Sequence, residues 1–218
     1  MSKTLYLMRH GQTMLNAQKR IQGWFDSPLT ELGRRQAFAA GRELARRGVR
    51  PDRAICSTSE RCSDTLELVL DGLGMPGAPY ARLRSIKEMF FGELEAESER
   101  LACADPVGCR TYYLPFGGES SDAVRDRMVM ALAGEMDALE GESLLAVSHG
   151  GACFNFSRLL PENVYFGNCS VAVLDYDPDR AGASLRQTDN LGAEVPSEAA
   201  RAASAFRLRE VIHVNEPA

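Results

Sequence analysis

Two of the three histidines in the chain stand in the same local setting. His10 follows the apolar run TLYLM and Arg9, His149 follows the run SLLAVS, and a glycine comes next in both cases. A neutral imidazole, with an ordinary pKa near ~6.5, can attack phosphorus without a separate base. We therefore predict that His10 and His149 take part in chemistry, whereas His213 is interpreted as a structural residue.

Two arginines are expected to lie close to these histidines. Arg9 adjoins His10, and Arg61 begins the helix predicted after the strand candidate 53–59. A guanidinium stays charged and forms bidentate hydrogen bonds to phosphate oxygens. Because phosphoryl transfer depends mostly on positioning and positive charge, this set predicts a phosphoryl-transfer site with a phosphohistidine at His10. Helix-start N–H groups add dipolar attraction for an anion, and the candidates are Gly11, 58–60 and 150–151.

Alternating strand and helix patterns must position these residues. Strand-like runs lie at 4–8, 53–59, 143–148 and 170–176. Helical runs follow Thr30, cover 60–74, 121–141 and 152–160, and end with the Ala-rich stretch 197–206. The alternation indicates an α/β fold of three layers, with helices on both faces of a mostly parallel sheet. Ligands of such sheets bind outside the carboxyl ends of the strands, so His10, His149 and Arg61 are expected at one edge.

Capping signals place the ends of the two long helices. Thr30 is the predicted N-cap of the first, and Gly48 its predicted stop. Ser121 or Asp122 is the predicted cap of the second, and Gly141 its predicted stop. Beyond residue 190 the sequence shows no other clear pattern than the Ala-rich stretch.

A long irregular segment interrupts the alternation at about 89–120. Its aromatic residues include Phe90, Phe91, Tyr112 and Tyr113, it ends with the sequence GGES, and segments of this length between regular elements often cover active sites. The aromatic residues are interpreted as core or lid packing. We predict one domain, 1–218, with a lid-like insertion at about 89–120.

Bulk properties exclude several classes of protein. The formal net charge of −5 argues against a nucleic-acid partner. No apolar run approaches the ~20 residues of a membrane span or resembles a signal peptide, so the predicted location is the cytoplasm. The six cysteines form no C-x-x-C pair, which predicts reduced thiols and no metal site.

Several motifs in order carry a family resemblance. The segment LYLMRHGQTMLNAQKRIQGWFDSPLTELGRRQA resembles the opening signature of the histidine phosphatase superfamily, also called the phosphoglycerate mutase-like family. The sequences CSTSERCSDT, KEMFFGELE, GGES and VSHGG continue the resemblance over about residues 4–175. The resemblance implies a phosphoglycerate mutase-like fold.

The resemblance also implies roles for individual residues. His10 would be the phosphorylated nucleophile, and Glu88 would protonate the leaving group and later accept a proton from water. Neither a metal nor an organic cofactor is implied. The residues expected to bind the phosphoryl group are Arg9, Asn16, Gln22, Gly23, Arg61, His149 and Gly150.

The chain departs from the family pattern at two places. Asp64, Thr65 and Leu66 stand where the family usually has Gln-Thr-Ala, and this is expected to change helix packing more than chemistry. Leu94 and Ala96 stand where Trp and Gly are common, which is expected to reshape the pocket wall and the choice of substrate.

The favoured function is hydrolysis of a small phosphorylated metabolite, a phosphate monoester, by a histidine acid phosphatase-type enzyme. From Glu88 to Asp105 the chain has five glutamates and one aspartate against Arg100, whereas the mutases that it resembles carry a basic insertion there. A cofactor-dependent phosphoglycerate mutase, which needs extra cationic contacts, is the alternative. A phosphate-binding regulatory protein without turnover is a third hypothesis, disfavoured because the full set of chemical groups is present. The oligomeric state stays open, with a homodimer among the alternatives.

Overall fold

A six-stranded sheet forms the centre of the fold. The computed structural model describes residues 2–105, 108–161, 164–180 and 188–214. The strands are β1 (Lys3–Arg9), β2 (Arg53–Ser57), β3 (Ala81–Leu83), β4 (Ser143–Ser148), β5 (Val171–Tyr176) and β6 (Phe206–Ile212). The α-helices are α1 (Met14–Ala17), α2 (Glu31–Arg46), α3 (Glu60–Gly72), α4 (Cys109–Tyr112), α5 (Ser121–Asp137), α6 (Gly150–Ser157) and α7 (Ser197–Ser204).

The strands run in the order β3-β2-β4-β1-β5-β6. Strands β1 to β4 are mutually parallel, β5 is antiparallel to β1, and β6 is antiparallel to β5. All the strands except β5 therefore share one direction. The predicted mostly parallel α/β sheet is confirmed.

Two apolar cores cover the two faces of this sheet. Side chains alternate along a strand, so in β4 Leu144 belongs to the core beneath α5, α6 and α7, while Leu145 belongs to the core beneath α2 and α3. In β1, Leu7 and Met8 divide in the same way. These two cores produce the three layers expected from the alternation of elements.

The two long helices test the capping predictions. Thr30 caps α2 by accepting a hydrogen bond from the Gly33 N–H, and Gly48 follows the helix with φ of 75°. In α5 the cap is Ser120, not Ser121 or Asp122. The helix also ends before the predicted stop, at Asp137 with Ala138 as its C-cap. Gly141 instead lets the chain pass Asp52, since an added Cβ would lie 2.4 Å from the Asp52 Cβ.

The other elements that the sequence predicted are present with shifted ends. Helix α6 begins at Gly150 rather than 152 because His149 occupies its N-cap position. Helix α7 confirms the Ala-rich stretch, and it packs on α5. Strand β6 was not predicted, because only Phe206 and Ile212 at its ends are well buried and the strand pairs irregularly with β5.

The irregular segment is built mostly of short turns around close backbone contacts. Its 3₁₀ turns are Gly92–Leu94, Glu99–Leu101 and Leu114–Phe116, and α4 lies between the last two. Gly92 has φ of 60°, and a Cβ there would lie 1.8 Å from the Phe116 carbonyl oxygen. Whether this segment moves as a lid, and whether 1–218 behaves as one domain, stay predictions.

Three features of the described residues concern the class of protein: membrane-spanning helices, metal sites and disulfides. Within these ranges no helix combines the length and apolarity needed to cross a membrane. The same residues contain no group of three or more His, Cys, Asp or Glu that could hold a metal. All six cysteines are free thiols.

Gly33 offers a test of how closely α2 packs on the loop after β1. An added Cβ would lie 2.0 Å from the Gln12 carbonyl oxygen, so Gly33→Ala should lower the free energy of unfolding by about 2 kcal/mol or more. Gly134→Ala in α5, where a Cβ meets nothing within 4 Å, is the control and should stabilise by about 0.5–1 kcal/mol. Urea unfolding of both variants measures the difference, and equal effects would contradict the packing described.

Candidate active site

The two motif histidines meet at the carboxyl edge of the sheet. Strands β1 and β4 are parallel neighbours, with Arg9 paired to Ser148, so the next residue on each strand is a histidine. The His10 N–H donates to the Ser148 carbonyl at 3.0 Å, and the His10 and His149 ring centroids lie 5.3 Å apart. The structure thus brings together the two imidazoles that the sequence placed at strand ends.

Arg61, in the first turn of α3, lies between the two imidazoles and is fully buried. Its Nε donates to His10 Nε2 at 3.3 Å, and its Nη2 donates to His149 Nδ1 at 2.8 Å. Its other contacts are with the Gly23 and Phe25 carbonyls and the Asp26 carboxylate. Each of the three guanidinium nitrogens of Arg61 therefore donates to at least one hydrogen-bond acceptor.

These contacts determine which ring nitrogens carry protons. A guanidinium only donates, so His10 Nε2 and His149 Nδ1 must accept and are unprotonated. His10 Nδ1 lies 2.7 Å from the Gly11 carbonyl oxygen, which only accepts, so Nδ1 carries the proton. His149 Nε2 donates in turn to Ser57 Oγ at 2.7 Å. The unshared electron pair of His10 is consequently on Nε2.

Burial and positive charge keep both imidazoles neutral. The pKa of His10 lies well below its ordinary value, because burial disfavours the charged form and Arg61 and Arg9 repel it. The pKa of His149 is lowered in the same way, by burial first and then by Arg61 and His10. At pH 7 the neutral nucleophile predicted from the ordinary histidine pKa is thus favoured further.

Arg9 presents an unpaired donor beside His10. Its Nη1 donates to the Phe166 carbonyl at 2.8 Å, whereas its Nε is buried and has no hydrogen-bond partner among the described residues. A Cβ at Gly150 would lie 3.1 Å from this Nε, so the glycine leaves room for the guanidinium. A buried donor without a partner is costly, and an anion bound here would satisfy it.

Glu88 is the buried carboxyl of the site. It lines the same cavity as His10 and is 5% exposed. The Met89 N–H donates to its Oε1 at 2.9 Å and the Gly151 N–H to its Oε2 at 2.8 Å. Burial raises the pKa of Glu88 above its ordinary value, although the two N–H groups and Arg61 oppose the rise. A raised pKa favours the protonated carboxyl, which is the form that a proton donor needs.

The remaining predicted residues divide into two groups. Asn16 and Gln22 line the cavity with Arg9 and His10. Gly23 instead contacts Arg61, because its carbonyl accepts a hydrogen bond from Arg61 Nη2 at 2.8 Å. Its N–H donates to Glu95 Oε2 at 3.2 Å.

The helix-start N–H groups are mostly occupied. The Gly11 N–H donates to Thr65 Oγ1, the Glu60 N–H to Asp26 Oδ2 and the Gly151 N–H to Glu88. These three candidate groups are therefore not free for an anion, because nearby side chains accept their hydrogen bonds.

The departures from the family pattern have different consequences. Thr65 joins α3 to the loop after His10, and Leu66 is fully buried in the core beneath α2 and α3. Ala96 adopts φ of 63°, in the left-handed region that suits the glycine common in the family, and its carbonyl accepts from Arg20 Nη1 at 2.7 Å. Leu94 packs in the core.

A cavity of about 480 Å³ opens in front of His10 and Glu88. Its wall is largely apolar, and Arg20 and Glu99 add charges to it. The wall residues that the motifs did not indicate include Ile21, Ala102, Phe154, Tyr165 and Phe166. Asp26, which pairs with Arg61 at 2.8 Å, was also missed, although its place within WFDSPLT was the available signal.

Comparison with known proteins identifies the family of this site. The histidine phosphatase superfamily (branch 1) matches residues 5–189, a range that contains both histidines, both arginines and Glu88. The chain belongs to this superfamily.

Members of the superfamily that resemble this chain have different activities. A 2,3-bisphosphoglycerate-dependent phosphoglycerate mutase of Bradyrhizobium is 33% identical over 74% of this chain and 84% of its own. A broad-specificity phosphatase of Saccharomyces cerevisiae is 29% identical over 85% of both chains. The structure of a mycobacterial glucosyl-3-phosphoglycerate phosphatase superposes with a TM-score of 0.66 at 25% identity, over 81% of this chain and 91% of that one.

The lowered pKa of His10 predicts a pH dependence of stability. As pH falls below about 6.5, the unfolded chain takes up a proton at this position and the folded chain does not, so folding loses stability. The loss should approach about 1.4 kcal/mol per pH unit for this group. In His10→Gln, the free energy of unfolding should fall less steeply between pH 7 and 5.5 than in the unmodified chain. Identical slopes in urea titrations would contradict the burial of a neutral imidazole.

Proposed function

We propose that this chain is a phosphatase that hydrolyses a small phosphate monoester through a phosphohistidine at His10. One pair of contacts supports this most directly: Arg61 donates to His10 Nε2 while His10 Nδ1 donates to the Gly11 carbonyl. The electron pair of a neutral imidazole in the cavity lining therefore faces the positive charge of the fully buried Arg61. An activated nucleophile beside a phosphate-binding cation is what this chemistry requires.

The first step transfers the phosphoryl group to the protein. The electron pair on His10 Nε2 forms a bond to phosphorus as the bond between phosphorus and the leaving oxygen breaks. Glu88, in its protonated form, gives its proton to that oxygen, and an alcohol leaves. Arg9 and Arg61 balance the charge on the phosphoryl oxygens, and the Arg61 N–H that faces Nε2 in the free protein becomes available to one of them.

The second step returns the protein to its starting state. Water attacks phosphorus, and the Glu88 carboxylate takes one of its protons. The bond between phosphorus and Nε2 breaks, its electron pair returns to His10, and inorganic phosphate leaves. Glu88 is protonated again, so the cycle closes without any other reactant.

The charges around the cavity favour hydrolysis over mutase activity. A mutase must retain a doubly phosphorylated intermediate, which needs cationic contacts at both ends of the molecule. Among the residues that line the cavity, Arg9 and Arg20 are the cations, Glu99 is an acid of opposite charge, Glu88 is the proposed proton donor, and most of the remaining wall is apolar. This lining supports a single phosphate site facing a leaving group with apolar character.

Replacement of His10 tests the nucleophile. The purified chain should release phosphate from 4-nitrophenyl phosphate in the presence of a chelator, and His10→Ala should lose about 10³-fold or more of this activity. His213→Gln is the control, because His213 lies outside the cavity lining and contacts Ser170 Oγ at 3.2 Å. It should keep full activity. Activity in His10→Ala equal to that of the control would refute the mechanism.

The mutase alternative, favoured by the names of several relatives, needs a separate assay. Conversion of one phosphoglycerate isomer to the other is followed with and without a bisphosphoglycerate primer. We expect phosphate release to exceed isomer conversion under both conditions, because the described lining adds only Arg20 to the cation Arg9 and also contains the acid Glu99. Primer-dependent conversion that outpaces phosphate release would replace the phosphatase assignment with the mutase.

A further inference from the structure

Arg127 on α5 contacts the backbone that carries Glu88, although it does not line the cavity. Its Nη1 donates to the Ser85 carbonyl at 2.9 Å and to the Lys87 carbonyl at 2.6 Å. Its Nη2 donates to the Glu88 carbonyl at 2.9 Å. One guanidinium therefore holds three carbonyls of the segment that ends at the proposed proton donor.

Glu119, from the GGES sequence, orients this arginine. Its two carboxylate oxygens accept from Arg127 Nε at 3.2 Å and Nη2 at 3.0 Å. The Phe90 N–H also donates to Glu119 Oε2 at 2.8 Å. With these contacts all five N–H donors of the Arg127 guanidinium are used. Arg127 and Glu119 together therefore form hydrogen bonds to the backbone before and after Glu88.

The carboxyl of Glu88 depends on the backbone that this pair holds. Its Oε1 is fixed by the Met89 N–H, which lies between the carbonyl held by Arg127 and the N–H held by Glu119. Trp24 Nε1 donates at 2.9 Å to the same Glu88 carbonyl. A shift of residues 85–90 would therefore move the carboxyl relative to His10. A misplacement of about 1 Å can cost a catalytic group ~10²-fold in rate.

We infer that Arg127 and Glu119 are positioning residues that hold Glu88 at the distance and orientation needed for proton transfer to the leaving group. This inference rests on the proposed role of Glu88 as proton donor. A pair that only stabilised the fold would slow all substrates alike. A pair that acts through the proton donor should matter most for leaving groups that need a proton.

The experiment compares two substrates in the full chain. Nitrophenolate leaves from 4-nitrophenyl phosphate without protonation, whereas the alkoxide of a primary alkyl phosphate needs a proton. For Arg127→Gln we expect kcat/KM to fall ~10²-fold on the alkyl phosphate and less than ~3-fold on the aryl phosphate. Glu119→Gln should show the same selectivity to a smaller degree. Arg127→Lys keeps the charge with fewer donors and should recover part of the alkyl activity.

Arg53→Gln is the matched control. Arg53 forms an ion pair with Glu135 at 2.7 Å, also between α5 and a neighbouring element, but at the opposite end of the sheet from His10. It should leave the ratio of the two activities unchanged. Thermal unfolding of each variant separates loss of fold from loss of positioning, and if Arg127→Gln does not fold, Glu119→Gln and Arg127→Lys decide the question.

A double variant tests whether the effect passes through Glu88. If it does, Arg127→Gln should cause no further selective loss on the alkyl phosphate in a Glu88→Gln background. Equal losses on both substrates in the Arg127 and Glu119 variants, or fully additive selective losses in the double variant, would overturn the inference. If Glu88→Gln alone shows no selectivity, then the proposed role of Glu88 fails; if His10→Ala stays active, the phosphohistidine fails. These results are distinct from a failure of the positioning pair.

Discussion

The guanidinium of Arg61 carries a full charge at a position with no solvent exposure. A buried charge is tolerated only where hydrogen-bonding partners replace water. Here they come from three separate parts of the chain: the loop with Gly23, Phe25 and Asp26, the residue after β1, and the residue after β4. The start of α3, the two strand ends and that loop must therefore meet at one point, which constrains the whole carboxyl edge of the sheet.

The same charge sets the chemistry available at this edge. Burial first, and then this charge, lower the pKa of both imidazoles, so that each stays neutral. The guanidinium also donates to the unprotonated nitrogen of His10. An imidazole nitrogen with an unshared electron pair is then held beside a guanidinium, a group to which phosphate oxygens bind. Membership of the histidine phosphatase superfamily agrees with this arrangement, and the proposed hydrolysis makes use of both properties.

The glutamates of the acidic stretch after residue 87 lie in different environments and make different contacts. Glu88 is buried in the cavity, between the N–H groups of Met89 and Gly151. Glu95 accepts hydrogen bonds from four backbone N–H groups and so ties the loop near Trp24 to the irregular segment. Glu99 lies at the cavity wall. The sequence does not show these different environments, because side chains a few residues apart in irregular structure contact different parts of the fold.

Local patterns determined which elements form and which residues end them. A strand run followed by His-Gly identified His10 and His149, and Thr30 identified a helix start, because caps and periodicity depend on neighbours in sequence. The motifs also indicated Glu88, whose burial the sequence alone could not show. Tertiary structure alone decided the reversed direction of β5, the pairing of β6 and the contacts of Asp26, Arg127 and Glu119. These depend on which distant segments pack together, and the spacing of residues along the chain does not specify that.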